Sequence, residues 1–213
     1  MADILPLALP GRFYPVVDSA DWVRRMAACG ARLIQLRIKH AAPDALRDSV
    51  RAAKTACEAH GATLVLNDHW ALAIEQRLSF LHLGQEDLDG ADLAAIRRAG
   101  LRLGVSTHSD AELDRALSLA PDYVALGPIW PTTLKKMPWA PQGTARLGAW
   151  KRRIGAVPLV AIGGITLDRV AACLAAGADA VAVVSDVLAN ADPEARARAW
   201  IEAADPARDQ AAL

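Results

Sequence analysis

Leu33-Ile34-Gln35-Leu36-Arg37-Ile38-Lys39, followed by the helical stretch Ala42–His60 and by Gly61, holds a strand, a helix and a helix stop in that order. Alternation puts Ile34, Leu36 and Ile38 on one face of the strand and Gln35, Arg37 and Lys39 on the other. A glycine just past a helical pattern is the preferred terminator of a helix. The same unit recurs along the chain. Short apolar runs lie at Arg12–Asp18, Leu33–Ile38, Thr63–Asp68, Phe80–Gly84, Leu101–Thr107, Tyr123–Ile129, Pro158–Gly164 and Ala180–Asp186. Between them come segments of helical spacing such as Ala91–Ala99, Asp110–Ala120 and Leu167–Ala176. Gly30, Gly100 and Gly177 stand at equivalent helix ends. Eight strand–helix units with short connections predict an α/β fold, a single (β/α)8 TIM barrel spanning residues 1–213, with a doubly wound open sheet as the alternative. Residues 1–11 and 206–213 are expected to be flexible ends.

Basic and acidic residues balance at 24 each, so no global field draws the chain to nucleic acid or an anionic membrane, and any anionic ligand needs a local cluster of charge. No apolar run approaches the roughly 20 residues of a membrane span, and Met1–Gly11 lacks a signal-peptide pattern. Cys29, Cys57 and Cys173 are odd in number and sit in helical patterns, which reads as reduced, packed thiols and a cytoplasmic setting. A homo-oligomer is compatible with the sequence. Arg24, Arg25, Arg152 and Arg153 read as a solvated helix surface.

The strand ends carry residues a core does not need. Gln35, Arg37 and Lys39 point toward the barrel axis and its upper rim, where burying them without partners costs several kcal/mol. An anionic ligand accounts for them, and a structural salt-bridge network is the alternative. Asn67-Asp68 closes the third strand, and Asp87 follows the fourth. Two carboxylates on one rim suggest a hard cation, magnesium, completed by phosphate and water; otherwise Asp68 and Asp87 cap helices. Ser106 faces inward as a donor to a phosphate oxygen, with Gly104 and His108 on the same face. His82 reads as a hydrogen-bonded barrel residue, and His108 as a base, a ligand contact or a rim residue. Gly163-Gly164 after the seventh strand and Ser185 after the eighth match the usual barrel phosphate site, or else form tight turns. The connection from Trp130 to Gly143 is long enough to be functional.

In this order the motifs Tyr14-Pro-Val-Val-Asp18, Gln35-Leu-Arg-Ile-Lys39, Asn67-Asp68, His82-Leu-Gly-Gln-Glu-Asp87, Gly104-Val-Ser-Thr-His108, Gly127-Pro-Ile-Trp-Pro-Thr132, Lys135, Ala161-Ile-Gly-Gly164 and Val183-Val-Ser185 resemble the thiamine phosphate synthase family over nearly the whole chain. The resemblance implies a transferase of thiamine biosynthesis. It joins 4-amino-5-hydroxymethyl-2-methylpyrimidine diphosphate to a thiazole phosphate and releases diphosphate. It further implies that Gln35, Arg37, Lys39 and Asn67 hold the pyrimidine diphosphate, that Asp68 and Asp87 bind Mg2+, and that Ser106 and Lys135 contact the diphosphate. Thr132, Gly164, Val184 and Ser185 are the implied thiazole-phosphate contacts, the last two through main-chain N–H groups. Arg37, Lys39, Lys135 and Ser106 are thereby the expected catalytic set.

Two positions depart from the family pattern. His69 stands where Arg is common, and Leu134 stands where many members have a second Thr. The rival readings are a thiazole tautomerase using His108, a non-catalytic sensor of thiamine phosphate, and a Schiff-base lyase using Lys39 or Lys135. A magnesium requirement separates the first from the synthase, diphosphate release the second, and borohydride trapping the third.

Overall fold

The structure is a computed structural model that describes residues 8–132 and 139–205. Its strands are β1 (Phe13–Val17), β2 (Leu33–Leu36), β3 (Thr63–Asn67), β4 (Phe80–Leu83), β5 (Arg102–Thr107), β6 (Tyr123–Leu126), β7 (Leu159–Ala161) and β8 (Ala180–Val183). Each pairs in parallel with the next, and β8 pairs with β1, so the sheet closes and leaves no open edge. The doubly wound alternative is excluded. Around the barrel run α1 (Ala20–Ala28), α2 (Pro43–Ala59), α3 (Trp70–Glu75), α4 (Leu93–Arg98), α5 (Asp110–Ser118), α6 (Gly143–Ile154), α7 (Val170–Ala175), α8 (Ser185–Leu188) and α9 (Pro193–Ala204). Single 3₁₀ turns at Asp87–Gly90 and Leu167–Arg169 precede α4 and α7.

Each expected strand is present, and all but β5, which ends at Thr107 as its run does, end earlier than their apolar runs. The seventh run stops at Ala161 because Gly163 and Gly164 turn the chain with φ of +94° and +65°. The eighth stops at Val183 because Ser185 already opens α8. Ser19, Asp92, Ser109 and Asp192 cap α1, α4, α5 and α9, each accepting a backbone N–H of the first turn.

Period-two alternation produces two cores. Outward residues such as Ile34, Leu36, Leu66, Leu81 and Val105 pack against helix residues such as Val23, Met26, Val50 and Ile96. Inward residues Tyr14, Leu33, Val65, Phe80, Tyr123 and Val160 fill the barrel. Each large apolar side chain so buried contributes about 1.5–3 kcal/mol relative to exposure. Cys29, Cys57 and Cys173 are free thiols, with Cys29 only half-buried. Arg25 is not simply solvated: it lies over the Trp22 ring and bonds Glu194 at 2.6 Å, tying α1 to α9.

Candidate active site

Parallel pairing continues one residue past β2, where the Arg37 N–H donates to the Val17 carbonyl at 2.8 Å. The alternation of β2 therefore carries to Arg37, which is half-buried at the C-terminal mouth of the barrel. Among the described residues no carboxylate lies within ion-pair distance of its guanidinium. Lys39 pairs with Asp68, which follows β3 in a left-handed conformation, φ 65°. Asp68 does not cap α3, whose cap residue is His69. His69 Nε2 instead meets the Ile38 carbonyl at 3.1 Å, fastening the backbone between Arg37 and Lys39.

Asp87 accepts the Gly84 N–H at 3.1 Å, which closes the turn after β4. Its carboxyl lies within hydrogen-bonding reach of Asp68. Burial and then the Asp68 charge hold it above the ordinary carboxylate range, against the pull of the Gly84 N–H and Lys39. Asp87 thus both shapes a turn and faces a second carboxylate.

Below this rim runs a buried polar layer. Register pairs Asn67 with His82, His82 with Gly104, and Gly104 with Tyr123, so the four lie side by side across β3 to β6. Gln35 Nε2 donates to the Tyr14 hydroxyl at 2.9 Å, and the Tyr14 and Tyr123 hydroxyls meet at 2.9 Å. His82 Nδ1 lies 2.9 Å from the Tyr123 hydroxyl, and its Nε2 lies 2.8 Å from Ser106 Oγ. A Cβ on Gly104 would fall 1.9 Å from the Tyr123 ring, so glycine there is what admits the tyrosine. Burial pushes the His82 imidazole down to about 4, with the Asp68 carboxylate opposing and Arg37 reinforcing the shift. Sequence reading did not single out Tyr14 and Tyr123 for this layer. The signal was available, because they are the chain's two tyrosines and both fall on inward positions.

Ser106 is partly open to the mouth, and Asn67, two strands away at the end of β3, is 6% exposed. Next along, His108 Nδ1 lies 2.8 Å from Glu112 Oε2, and its ring stacks on Trp139 with centroids 4.1 Å apart. Gln85 Nε2 fixes the Ser106 carbonyl at 2.8 Å. Across the mouth, the segment after β6 lies against the turn after β7: Ile129 N–H bonds Ile162 O and Trp130 N–H bonds Gly163 O, each at 3.0 Å. A Cβ on Gly164 would fall 2.4 Å from the Pro131 carbonyl. Arg169 bonds the Gly164 carbonyl at 2.6 Å and stacks 5.0 Å over Trp130. Thr132 thus follows a segment held against Gly164, and Val184 and Ser185 follow β8 on the same side. Lys135 and Leu134 lie outside the described residues.

The expected residues therefore fall into two groups at one mouth: Arg37, Lys39, Asn67, Asp68, Asp87 and Ser106 on β2 to β5, and Thr132, Gly164, Val184 and Ser185 on β6 to β8. Gln35 differs in position, since it is 5% exposed and its amide nitrogen already serves Tyr14. A cavity of about 370 Å3 at the opposite end of the barrel, lined by Arg12, Arg32 and Asp205 among others, has no such layered donors. No helix among the described residues is long and apolar enough to cross a membrane.

The donor set at Asp68 and Asp87 fits a magnesium ion. Among the described residues no three metal-ligating side chains cluster, as a zinc centre would require. Two carboxylates that repel one another are the partial oxygen shell magnesium accepts, the rest coming from phosphate and water.

Fold and mouth together define a (β/α)8 barrel with cationic and carboxylate side chains gathered on one half of its rim and a tight glycine turn on the other. Residues 13–187 match the family model described as thiamine monophosphate synthase. The thiamine-phosphate synthase of Rhizobium etli is 59% identical over 196 residues, covering 92% of this chain and 96% of that protein. That of Neisseria meningitidis serogroup A is 51% identical over the same shares. The solved thiamine phosphate pyrophosphorylase of Pyrococcus furiosus superposes with a TM-score of 0.82 at 25% identity, covering 92% of this chain and 96% of that one. The chain belongs to the thiamine monophosphate synthase family.

Proposed function

We propose that this chain joins 4-amino-5-hydroxymethyl-2-methylpyrimidine diphosphate to a thiazole phosphate, giving thiamine phosphate and diphosphate. The observation that carries the reading is the convergence of Arg37, Lys39, Asp68, Asp87 and Ser106 at one mouth, with Arg37 free of any carboxylate partner among the described residues. In the reaction the methylene–oxygen bond breaks, and its electron pair leaves with the diphosphate. The thiazole nitrogen lone pair forms the new carbon–nitrogen bond, with loss of carbon dioxide if the thiazole is carboxylated. The electron-rich aminopyrimidine supports a cationic methylene, so no protein nucleophile is required.

What the residues supply is charge stabilisation that grows as the leaving group departs. Arg37 and Lys39 would neutralise diphosphate oxygens, Ser106 would donate to one, and Lys135 would close on it from the long segment. Gln35 and Asn67 would position the pyrimidine half. Asp68 and Asp87 would hold Mg2+, which as a bound cation supplies further charge neutralisation. Thr132, Gly164, Val184 and Ser185 would hold the thiazole phosphate. The substrates are small anions, and the free thiols Cys29, Cys57 and Cys173 agree with a cytoplasmic setting.

A diphosphate-release assay with both substrates, with and without magnesium, tests the reading. Turnover should require magnesium and fall about 100-fold or more in Arg37→Ala and Asp68→Ala, the scale of losing one transition-state donor. Turnover within a few-fold of the parent would refute it. The His108–Glu112 pair favours a second reading, a tautomerase with an imidazole base backed by a carboxylate. Magnesium-independent activity abolished in His108→Ala would establish that reading instead.

A further inference from the structure

We propose that Gln35, Tyr14, Tyr123 and His82 form a one-way hydrogen-bond chain that holds the Ser106 hydroxyl as a donor aimed at the departing diphosphate. This makes Tyr14, Tyr123 and His82 positioning residues, and it rests on the contact between Ser106 and diphosphate proposed above.

The direction follows from counting hydrogens. Gln35 Nε2 has only N–H to give, and the Tyr14 oxygen receives it at 2.9 Å. Tyr14 is 1% exposed and has no other acceptor among the described residues, so its single hydrogen goes to the Tyr123 oxygen at 2.9 Å. Tyr123, having accepted, gives its own hydrogen to His82 Nδ1 at 2.9 Å. A neutral imidazole that accepts at Nδ1 carries its hydrogen on Nε2, which lies 2.8 Å from Ser106 Oγ. Ser106 accepts there, so its remaining hydrogen is available to the mouth, where the residue is partly open. The reverse polarity would turn the serine hydrogen inward and present a lone pair to an anion.

Three features support the chain as a device rather than filler. Phenylalanines at 14 and 123 would fill the same fully buried layer without hydroxyls to satisfy, yet both positions carry tyrosine. Glycine at 104 is what lets the Tyr123 ring cross beneath Ser106. His82 is 5% exposed with both ring nitrogens already partnered inside the layer, so its tautomer is set by those two contacts rather than by solvent. Bonds aligned head to tail polarise one another, so the terminal hydroxyl is a stronger donor than an isolated serine.

A double-mutant cycle on the full-length enzyme tests this, reading kcat and KM for both substrates with magnesium, alongside melting temperature. Ser106→Ala should lower kcat. Tyr123→Phe should lower kcat about tenfold, the scale of one neutral hydrogen bond, with the thiazole-phosphate KM unchanged. In the Ser106→Ala background the same change should cost less than about twofold, because no hydroxyl remains to orient. Equal losses in both backgrounds would overturn the chain. A Ser106→Ala enzyme with full turnover would overturn it too, by removing the Ser106 contact, while a transfer reaction carried by Arg37 and Asp68 would stand. Should Tyr123→Phe not fold, Tyr14→Phe breaks the chain one link further from Ser106 and is read in the same cycle.

Discussion

A single buried imidazole shows how tightly this mouth couples stability to chemistry. His82 is 5% exposed, bonded at both nitrogens, and its titration is pushed from 6.5 down to about 4, chiefly by burial. The folded protein therefore favours neutral His82 more than the unfolded chain does. Its contribution to stability is complete above about pH 6.5 and is lost as pH falls toward 4. A depression of this size is worth about 3 kcal/mol when fully expressed. Urea midpoints measured across this interval should fall more steeply for the parent than for His82→Gln, which has no imidazole to charge. Parallel pH profiles would show that folding does not depress the His82 titration.

At the scale of elements, the two turns that meet between β6 and β7 decide whether the second half of the mouth exists. Gly164 sits at φ +65° with the Pro131 carbonyl where a Cβ would go, and Arg169 clamps it against Trp130. Gly164→Ala should push the segment carrying Thr132 away, raising the thiazole-phosphate KM about tenfold or more. The left-handed strain and overpacking should together cost roughly 2 kcal/mol or more of stability. The pyrimidine-diphosphate KM, which the proposed function assigns to residues of β2 to β5, should change less than about twofold; equal rises in both would mean the halves are not independent. These elements were largely legible beforehand. Alternation in Leu33–Lys39 put Arg37 and Lys39 at the mouth, and glycines 30, 61, 100 and 177 marked helix ends that the structure has at α1, α2, α4 and α7. The partners of each side chain were not legible. Tyr14 and Tyr123 are 109 residues apart, and only barrel closure brings their hydroxyls together. Likewise nothing local to Gln35 says that its amide nitrogen donates down to Tyr14, nor that Lys39 rests on Asp68. Periodicity fixes a face; pairing across the barrel is a property of closure.

For the whole molecule, a chain with no net charge has gathered cations and carboxylates at one end of a closed barrel, and that arrangement has a thermodynamic signature. Asp68 and Asp87 repel one another, so a divalent cation and a diphosphate should each bind better in the presence of the other: the cation relieves the carboxylates, and the anion meets Arg37 and Lys39. Any ligand bound only by the folded state stabilises it by an amount set by its saturation, about 2.7 kcal/mol at 100 times Kd. For a domain of this size each kcal/mol moves the melting temperature by about 2–4 °C. Magnesium and inorganic diphosphate together should therefore raise Tm by about 5–10 °C, well beyond the sum of their separate effects. Asp68→Asn should stay close to the parent's unliganded Tm, because it relieves the repulsion with Asp87 while giving up the part-exposed pair with Lys39, and it should lose that synergy. Additive shifts in the parent, or synergy that survives in Asp68→Asn, would mean that the carboxylate pair is not where cation and diphosphate meet.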